Sequence, residues 1–310
     1  MIEGVASGAV GLGGYGRGIV AIAAGTAEMR LVDNVLSSPT PTTWDPELKA
    51  AYQAALDDAL EPRRERGRIA TLAGLRDFVT YGIITDTRVD RARALLSKLH
   101  PERKVDALDG LLVPPRPKAA PGSPSAYWTS DIPPENESAI FERGLPLDVR
   151  SKFYSRGAPG LMSAYARTRL DMGRVYWRRV DFIETAYAAK ASSEPDDRLV
   201  LAIALALVHA PDGLAAMMAS TSPAALELGH TEALDALAAE SSPIAGMAAF
   251  DAAYLRALSP PDGARAPAYF RDVAARFRNA ESLLTEPAHK MRAAERAKEA
   301  DAIASGGAEK

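Results

Sequence analysis

The feature that most constrains this chain is an apolar stripe of helical period between residues 159 and 190. Its members recur three, four or seven positions apart, at Leu161, Tyr165, Met172, Tyr176, Val180, Ile183 and Tyr187. This spacing places them on one face of an α-helix. Pro159 suits a first helical turn, because the N–H that it lacks has no partner there. We therefore predict a single long helix over 159–190.

The rest of the chain repeats the helical pattern in shorter segments, with proline and glycine between them. Alanine is abundant and β-branched residues are sparse, which favours helix. Asp45 and Pro46 mark the best signalled helix start, since aspartate caps a helix and proline suits its first turn. Predicted helices lie at 19–36, from Pro46 to about 60, and at 62–80, 87–99, 198–210, 213–219, 223–239, 243–258, 266–284 and 286–304.

These segments predict an all-α fold, an antiparallel helix-pair array with a Gly-rich N-terminus and a Pro-rich linker. Short connections favour antiparallel neighbours. The array is either an α-solenoid similar to tetratricopeptide (TPR) repeats or an irregular helical bundle. Because no 34-residue period recurs, no family is assigned. Predicted divisions are a Gly-rich segment 1–44, a helical subdomain 45–112, a linker 113–135, a main array 136–305 and a disordered tail 306–310.

Apolar periodicity also predicts which faces are buried. The helix 198–210 is apolar on nearly every side and is predicted to be the central buried helix. In the first half of the chain, the predicted inward residues are Leu48, Ala51, Tyr52, Ala55, Leu56, Ala59, Ile69, Leu72, Leu75, Phe78 and Val79. Trp128 lies in the proline-rich linker and is expected to dock on a helical part, or alternatively to anchor a partner.

Composition excludes several classes of function. The chain has 310 residues and no cysteine, so disulfides and thiolate catalysis are absent. A net charge of −3 argues against a dedicated nucleic-acid binder. The sequence contains no apolar run long enough to span a membrane, and without a convincing signal peptide a cytoplasmic location is favoured. Gly11, Gly13 and Gly16 match a dinucleotide fingerprint, but the strand that should precede them is missing.

No catalytic residue, cofactor or metal site is predicted. Glu227–His230 and Glu286–His289 both read E-x-x-H, the spacing found in di-iron carboxylate proteins. Gly229 and Pro287 inside these motifs indicate helix ends, not a bundle interior. We therefore expect these histidines to lie at the surface. His209 follows an apolar helix, where a protonated imidazole would interact well with the helix dipole.

Charge is distributed unevenly along the second half. Residues 150–179 hold eight Arg and Lys residues and only Asp171 with negative charge, whereas 191–262 hold ten acidic residues and two arginines. The two stretches either neutralise each other inside one fold or form a dipolar surface that steers a charged partner. Opposite the apolar stripe, Arg167, Asp171, Arg174 and Arg178 are predicted to form a basic working surface.

Three functional hypotheses remain open. The first is a non-enzymatic helical scaffold that binds another protein, and the chain is then a possible oligomer. The second is an enzyme or small-molecule binder with a groove near Tyr176, Trp177, Arg174 and Arg178. The third is a structural subunit of an envelope or secretion assembly. The predicted partner-binding residues are Arg167, Arg169, Arg174, Tyr176, Trp177, Arg178 and Trp128.

Overall fold

The computed structural model describes residues 11–84, 86–115, 159–219, 226–260 and 267–306. In these ranges every regular element is helical and there is no strand, so the predicted all-α class is confirmed. The solenoid or TPR-like arrangement stays a prediction. The α-helices in the described ranges are α1 (Gly14–Leu36), α2 (Pro46–Thr80), α3 (Thr87–Leu99), α4 (Pro159–Tyr176), α5 (Arg179–Ala189), α6 (Pro195–Leu207), α7 (Leu214–Ala219), α8 (Glu232–Ala238), α9 (Ala245–Leu258), α10 (Pro267–Leu283) and α11 (Pro287–Ala304).

The chain divides into two compact units, the second of which begins at Ala107. The first contains α1 to α3 and a 3-10 turn, Pro101–Arg103. The second contains a 3-10 turn, Ala107–Gly110, followed by α4 to α11. Among the described residues, no helix has both the length and the hydrophobicity needed to cross a membrane. Linker residue Trp128 lies outside the described residues.

Glycine brings α1 and α2 into close contact in the first unit. A Cβ added to Gly74 of α2 would lie 2.7 Å from the carbonyl oxygen of Gly18, and one added to Gly25 would lie 2.7 Å from that of Gly67. The two backbones thus touch at both points. This contact explains why α1 begins at Gly14 and not at Ile19 as predicted: the glycines disfavour an isolated helix, but tertiary packing compensates.

One continuous helix, α2, replaces the two helices predicted over 46–80. Asp45 caps it as predicted, and its carboxylate accepts the Leu48 N–H at 2.7 Å. Pro62 lies within the helix on an exposed side, where water can solvate the carbonyl left without a partner. The buried face of α2 lies in its second half, where Leu75, Phe78 and Val79 are buried. The predicted inward positions Leu48, Tyr52 and Ile69 are wrong, because these side chains are 47%, 41% and 56% exposed.

In the second unit, the predicted single helix over 159–190 is also wrong. It consists of α4 and α5, separated by Trp177 and Arg178. Trp177 has a left-handed φ of 55°, and the Arg178 N–H donates to the Gly173 carbonyl at 3.3 Å, as in a Schellman turn. Complete burial of the indole offsets the cost of this conformation, which is about 1 kcal/mol. The chain therefore turns in the middle of the apolar stripe.

The remaining boundaries agree with the sequence except at two helices. One of these is α6, which begins and ends three residues earlier than the predicted 198–210. Starts and ends of α3, α7, α9, α10 and α11 fall within two residues of those predicted. The predicted helix 223–239 is wrong within the described range, because residues 227–231 are not helical and α8 begins at Glu232. A left-handed φ of 47° at Glu227 is incompatible with a helix that runs through this residue. Residues 223–225 lie outside the described residues.

The close approach of α1 and α2 predicts that replacing a contact glycine by alanine destabilises the protein. Gly74→Ala should lower the free energy of unfolding by about 1–3 kcal/mol, because its methyl group meets backbone atoms that have nowhere to move. Urea denaturation followed by circular dichroism measures the change. Gly11→Ala is the control, since its Cβ would have no neighbour within 4 Å. Equal stability of the two variants would contradict the packing.

Candidate functional site

The basic residues of α4 face inward. Arg169 is completely buried and its Nη2 lies 2.6 Å from Oδ1 of Asp181, which is also completely buried. Arg178 contributes a second cation, with Nε 3.4 Å from the other oxygen of Asp181. Burial raises the pKa of Asp181 to about 6, against the lowering effect of the two arginines. This cluster of ion pairs connects α4 to α5.

A second buried pair connects α4 to α6. Arg167 Nη1 lies 3.2 Å from Oδ1 of Asp197, and both side chains are 2% exposed. The Ser163 hydroxyl donates to the other oxygen of Asp197. Burial lowers the pKa of Arg167, while Asp197 raises it. The pair joins the basic and acidic stretches of the sequence, so at this point their charges neutralise each other inside one fold.

The predicted basic working surface is therefore wrong for Arg167. The same burial applies to three other predicted partner-binding residues, since Arg169, Tyr176 and Trp177 are at most 3% exposed. Among the predicted partner-binding residues that the structure describes, Arg174 and Arg178 keep partly exposed side chains. Arg174 Nε also donates to the Leu108 carbonyl at 2.9 Å. The structure thus brings these residues together as a core and not as an outer face.

An exposed apolar surface of the second unit lies between α5 and α6. Ile183 and Tyr187 of α5 are 38% and 53% exposed, although both belong to the stripe predicted to be buried. Most of α6 is buried, as predicted for 198–210, and Leu199, Ile203 and Leu207 are completely inaccessible. Leu205 of α6 departs from this prediction, because it is 43% exposed. A groove of about 390 Å³ runs between them, lined by Ile183, Ala186, Tyr187, Lys190, Leu201, Leu205 and Val208.

The lining residues have the spacing of two helix ridges. Leu201, Leu205 and Val208 follow one another at i, i+4 and i+7, and Ile183, Tyr187 and Lys190 do the same across the groove. Side chains at these intervals share one helix face. The groove therefore lies between two rows of mainly apolar side chains, which is the form that packs against a further helix. Lys190 is the only charged residue in this lining.

The histidines lie where helix ends were predicted. His230 precedes α8, and His289 lies in the first turn of α11 with Nδ1 3.3 Å from Glu286. His209 and His230 are both exposed, and their ring centroids lie 4.0 Å apart. Within the described ranges, His, Asp and Glu form no group of three or more that could hold a metal ion.

Asp251 is a buried acid that sequence reasoning missed. It is completely buried in α9, and its Oδ1 accepts the Leu112 N–H at 2.7 Å. Its Oδ2 has no hydrogen-bond partner among the described residues. Burial raises the pKa of Asp251 well above the ordinary 3.8, against smaller lowering effects of the Leu112 N–H, Arg174 and Arg292. A single acid within the apolar sequence AGMAAFDAAYLRAL was the available signal.

Removal of one member of the buried cluster should be costly. Arg169→Leu leaves Asp181 buried without its closest cation, and we expect the free energy of unfolding to fall by about 3–5 kcal/mol. Arg198→Leu is the matched control, because Arg198 forms an exposed pair with Glu240 and its loss should have little effect. Urea denaturation of the three proteins measures both. A small effect at Arg169 would contradict the stabilising role of the cluster.

The buried carboxyl of Asp251 predicts a pH dependence. Because its pKa is raised in the folded state, ionisation disfavours folding, and the free energy of unfolding decreases as the pH rises above about 4. Asp251→Asn keeps the acceptor for the Leu112 N–H but does not ionise. Its stability relative to wild type should therefore increase from pH 4.5 to pH 8, measured by urea denaturation. Parallel pH curves for the two proteins would contradict this assignment.

Known proteins were compared with the chain in three ways. Protein-family models, curated proteins and solved structures all give no match. The function of the α5–α6 groove is therefore inferred from its shape, its apolar lining and its charge.

Proposed function

We propose that this chain is a helical scaffold that binds an amphipathic helix of a partner protein in the α5–α6 groove. The observation that carries the proposal is the exposure of Ile183, Tyr187 and Leu205 around a single groove. Scattered apolar side chains are normal on a protein surface, but apolar residues that line a continuous concave patch are typical of interaction sites.

The shape of the groove favours a helix as the occupant. Both walls are helices whose lining residues repeat at i, i+4 and i+7. A third helix with apolar residues at the same intervals fits between such ridges, as in recognition of a helix in a groove. Its side chains would interdigitate with both ridges as in ordinary helix packing, with axes about 8–10 Å apart.

The charge of the rim selects the partner. Lys190 follows α5 directly and belongs to the lining of the groove, which contains no acidic residue. A helix with an acidic residue at the matching end forms an ion pair at the edge of an apolar contact. Such rim charges contribute mainly to specificity and association rate, while the apolar side chains contribute most of the affinity.

The proposed interaction site differs from the one predicted from the sequence, which was placed around the arginines of residues 167–178. Burial of Arg167, Arg169 and Trp177 argues against binding through these side chains, and the groove lies on α5 and α6. The enzyme and the assembly subunit stay predictions.

A display library of 18-residue helical peptides tests the groove. The wild-type chain should enrich peptides with apolar residues at i, i+4 and i+7 and an acidic residue near one end. Leu205→Glu places a charge in the groove and should weaken binding of an enriched peptide by about tenfold or more, measured by fluorescence anisotropy. Lys190→Glu should shift the preference toward basic peptides.

Ile303→Glu is the matched control. Ile303 lies on α11 of the same unit and is 42% exposed, compared with 43% for Leu205. The Ile303→Glu variant should bind the enriched peptides with the same affinity as the wild type. Failure to enrich any peptide, or equal binding by Leu205→Glu, would overturn the proposal. Self-association of the wild type that Leu205→Glu abolishes would identify a second copy as the occupant instead.

A further inference from the structure

The second unit begins with a segment that is held almost as a bound peptide would be. This segment, Ala107–Leu112, is buried along most of its length, and Leu108 is completely inaccessible. It contains the 3-10 turn Ala107–Gly110, which is followed by a long hydrogen bond of 3.4 Å from the Leu111 N–H to the Leu108 carbonyl. Side chains from three helices bind its main chain.

Four hydrogen bonds recognise the backbone of the segment. The Tyr254 hydroxyl donates to the Ala107 carbonyl at 2.7 Å, Arg174 Nε to the Leu108 carbonyl at 2.9 Å, and Arg292 Nη2 to the Gly110 carbonyl at 2.6 Å. Asp251 Oδ1 accepts the Leu112 N–H at 2.7 Å. Both donors and acceptors are thus present, and they bind main-chain atoms, as peptide-binding sites do.

The cleft that supplies these groups is built from α4, α9 and α11. Its aromatic floor orients Arg292, whose guanidinium carbon lies 5.4 Å from the ring centre of Phe250. Contacts of this kind hold an arginine in one orientation through cation–π attraction. The cleft is therefore preorganised for carbonyl oxygens.

Glycine is required at one position of the occupant. A Cβ on Gly110 would overlap the phenol of Tyr254. On either side, the buried side chains of Leu108, Leu111 and Leu112 fill apolar space. The pattern that the cleft selects is consequently Leu-x-Gly-Leu-Leu. The glycine and the leucines determine specificity, and the leucines and the main-chain hydrogen bonds together determine affinity.

We propose that the cleft between α4, α9 and α11 is a peptide-binding site for the Leu-x-Gly-Leu-Leu pattern, with Ala107–Leu112 as its intramolecular, exchangeable ligand. Release of the segment frees four main-chain binding groups for an added peptide of the same pattern. The site is separate from the α5–α6 groove and does not depend on the function proposed for it.

The test uses the full chain and a fluorescent peptide of the sequence 105–115. In Gly110→Ala the chain's own segment no longer fits against Tyr254, so the cleft opens. The peptide should bind this variant at least about tenfold more tightly than it binds wild type, in which the tethered segment competes. A peptide with alanine at the position of Gly110 should bind neither protein, and Arg292→Met added to Gly110→Ala should weaken binding.

Two results would overturn the proposal. One is absence of peptide binding to a Gly110→Ala chain that circular dichroism shows to be folded; the other is equal binding to wild type and variant. If Gly110→Ala does not fold, Leu108→Ser provides a milder way to loosen the segment. Failure of both variants to fold would show that the segment is an integral part of the core and would equally refute an exchangeable ligand.

Discussion

The dry ion pair between Arg169 and Asp181 is the interaction on which the second unit depends. It joins Arg169 of α4, which precedes the turn at Trp177, to Asp181 of α5, which follows that turn. Because a buried charge without its counter-ion costs several kcal/mol, only a backbone path that brings residues 169 and 181 together is tolerated. Thr185 adds a bond across the same interface, from its hydroxyl to the Ala166 carbonyl at 3.4 Å.

The turn also decides which surface is exposed. Had 159–190 formed one helix, Ile183 and Tyr187 would share a face with the buried Tyr165 and Met172. The reversal at Trp177 separates the stripe into two parts and directs the second part away from the core of α4. Next to α6, whose outer face is also apolar, this second part forms a groove. The ion pair and the candidate interaction site are therefore consequences of one change in chain direction.

Local chemistry could be predicted from the sequence, whereas tertiary choices could not. The cap at Asp45 was predictable because its hydrogen bond spans only three residues. The left-handed Trp177 was not, since glycine usually takes that conformation and only burial of the indole makes tryptophan acceptable. Arginines at 167 and 169 look like surface residues until their partners are known, and Asp181 and Asp197 are distant in sequence. The glycine pairs 18 and 25, and 67 and 74, share a spacing of seven and were an overlooked signal of close helix packing.

The first half of α2 has a different physical character from the rest of the chain. Most of its side chains up to Arg66 are exposed, and Pro62 interrupts its hydrogen bonding. Its ion pairs include the local pair Arg64–Glu61 and the partly exposed pair of Arg63 with Glu28 of α1. Helical stability without tertiary burial is marginal and governed by the helix–coil equilibrium. Amide protons in this half should therefore exchange with solvent through fraying of the helix end, at rates insensitive to global unfolding, while those beyond Gly67 report the opening of the α1–α2 contact. The two halves of one helix therefore differ in local stability, and the boundary between them lies at Gly67, where α2 contacts Gly25 of α1.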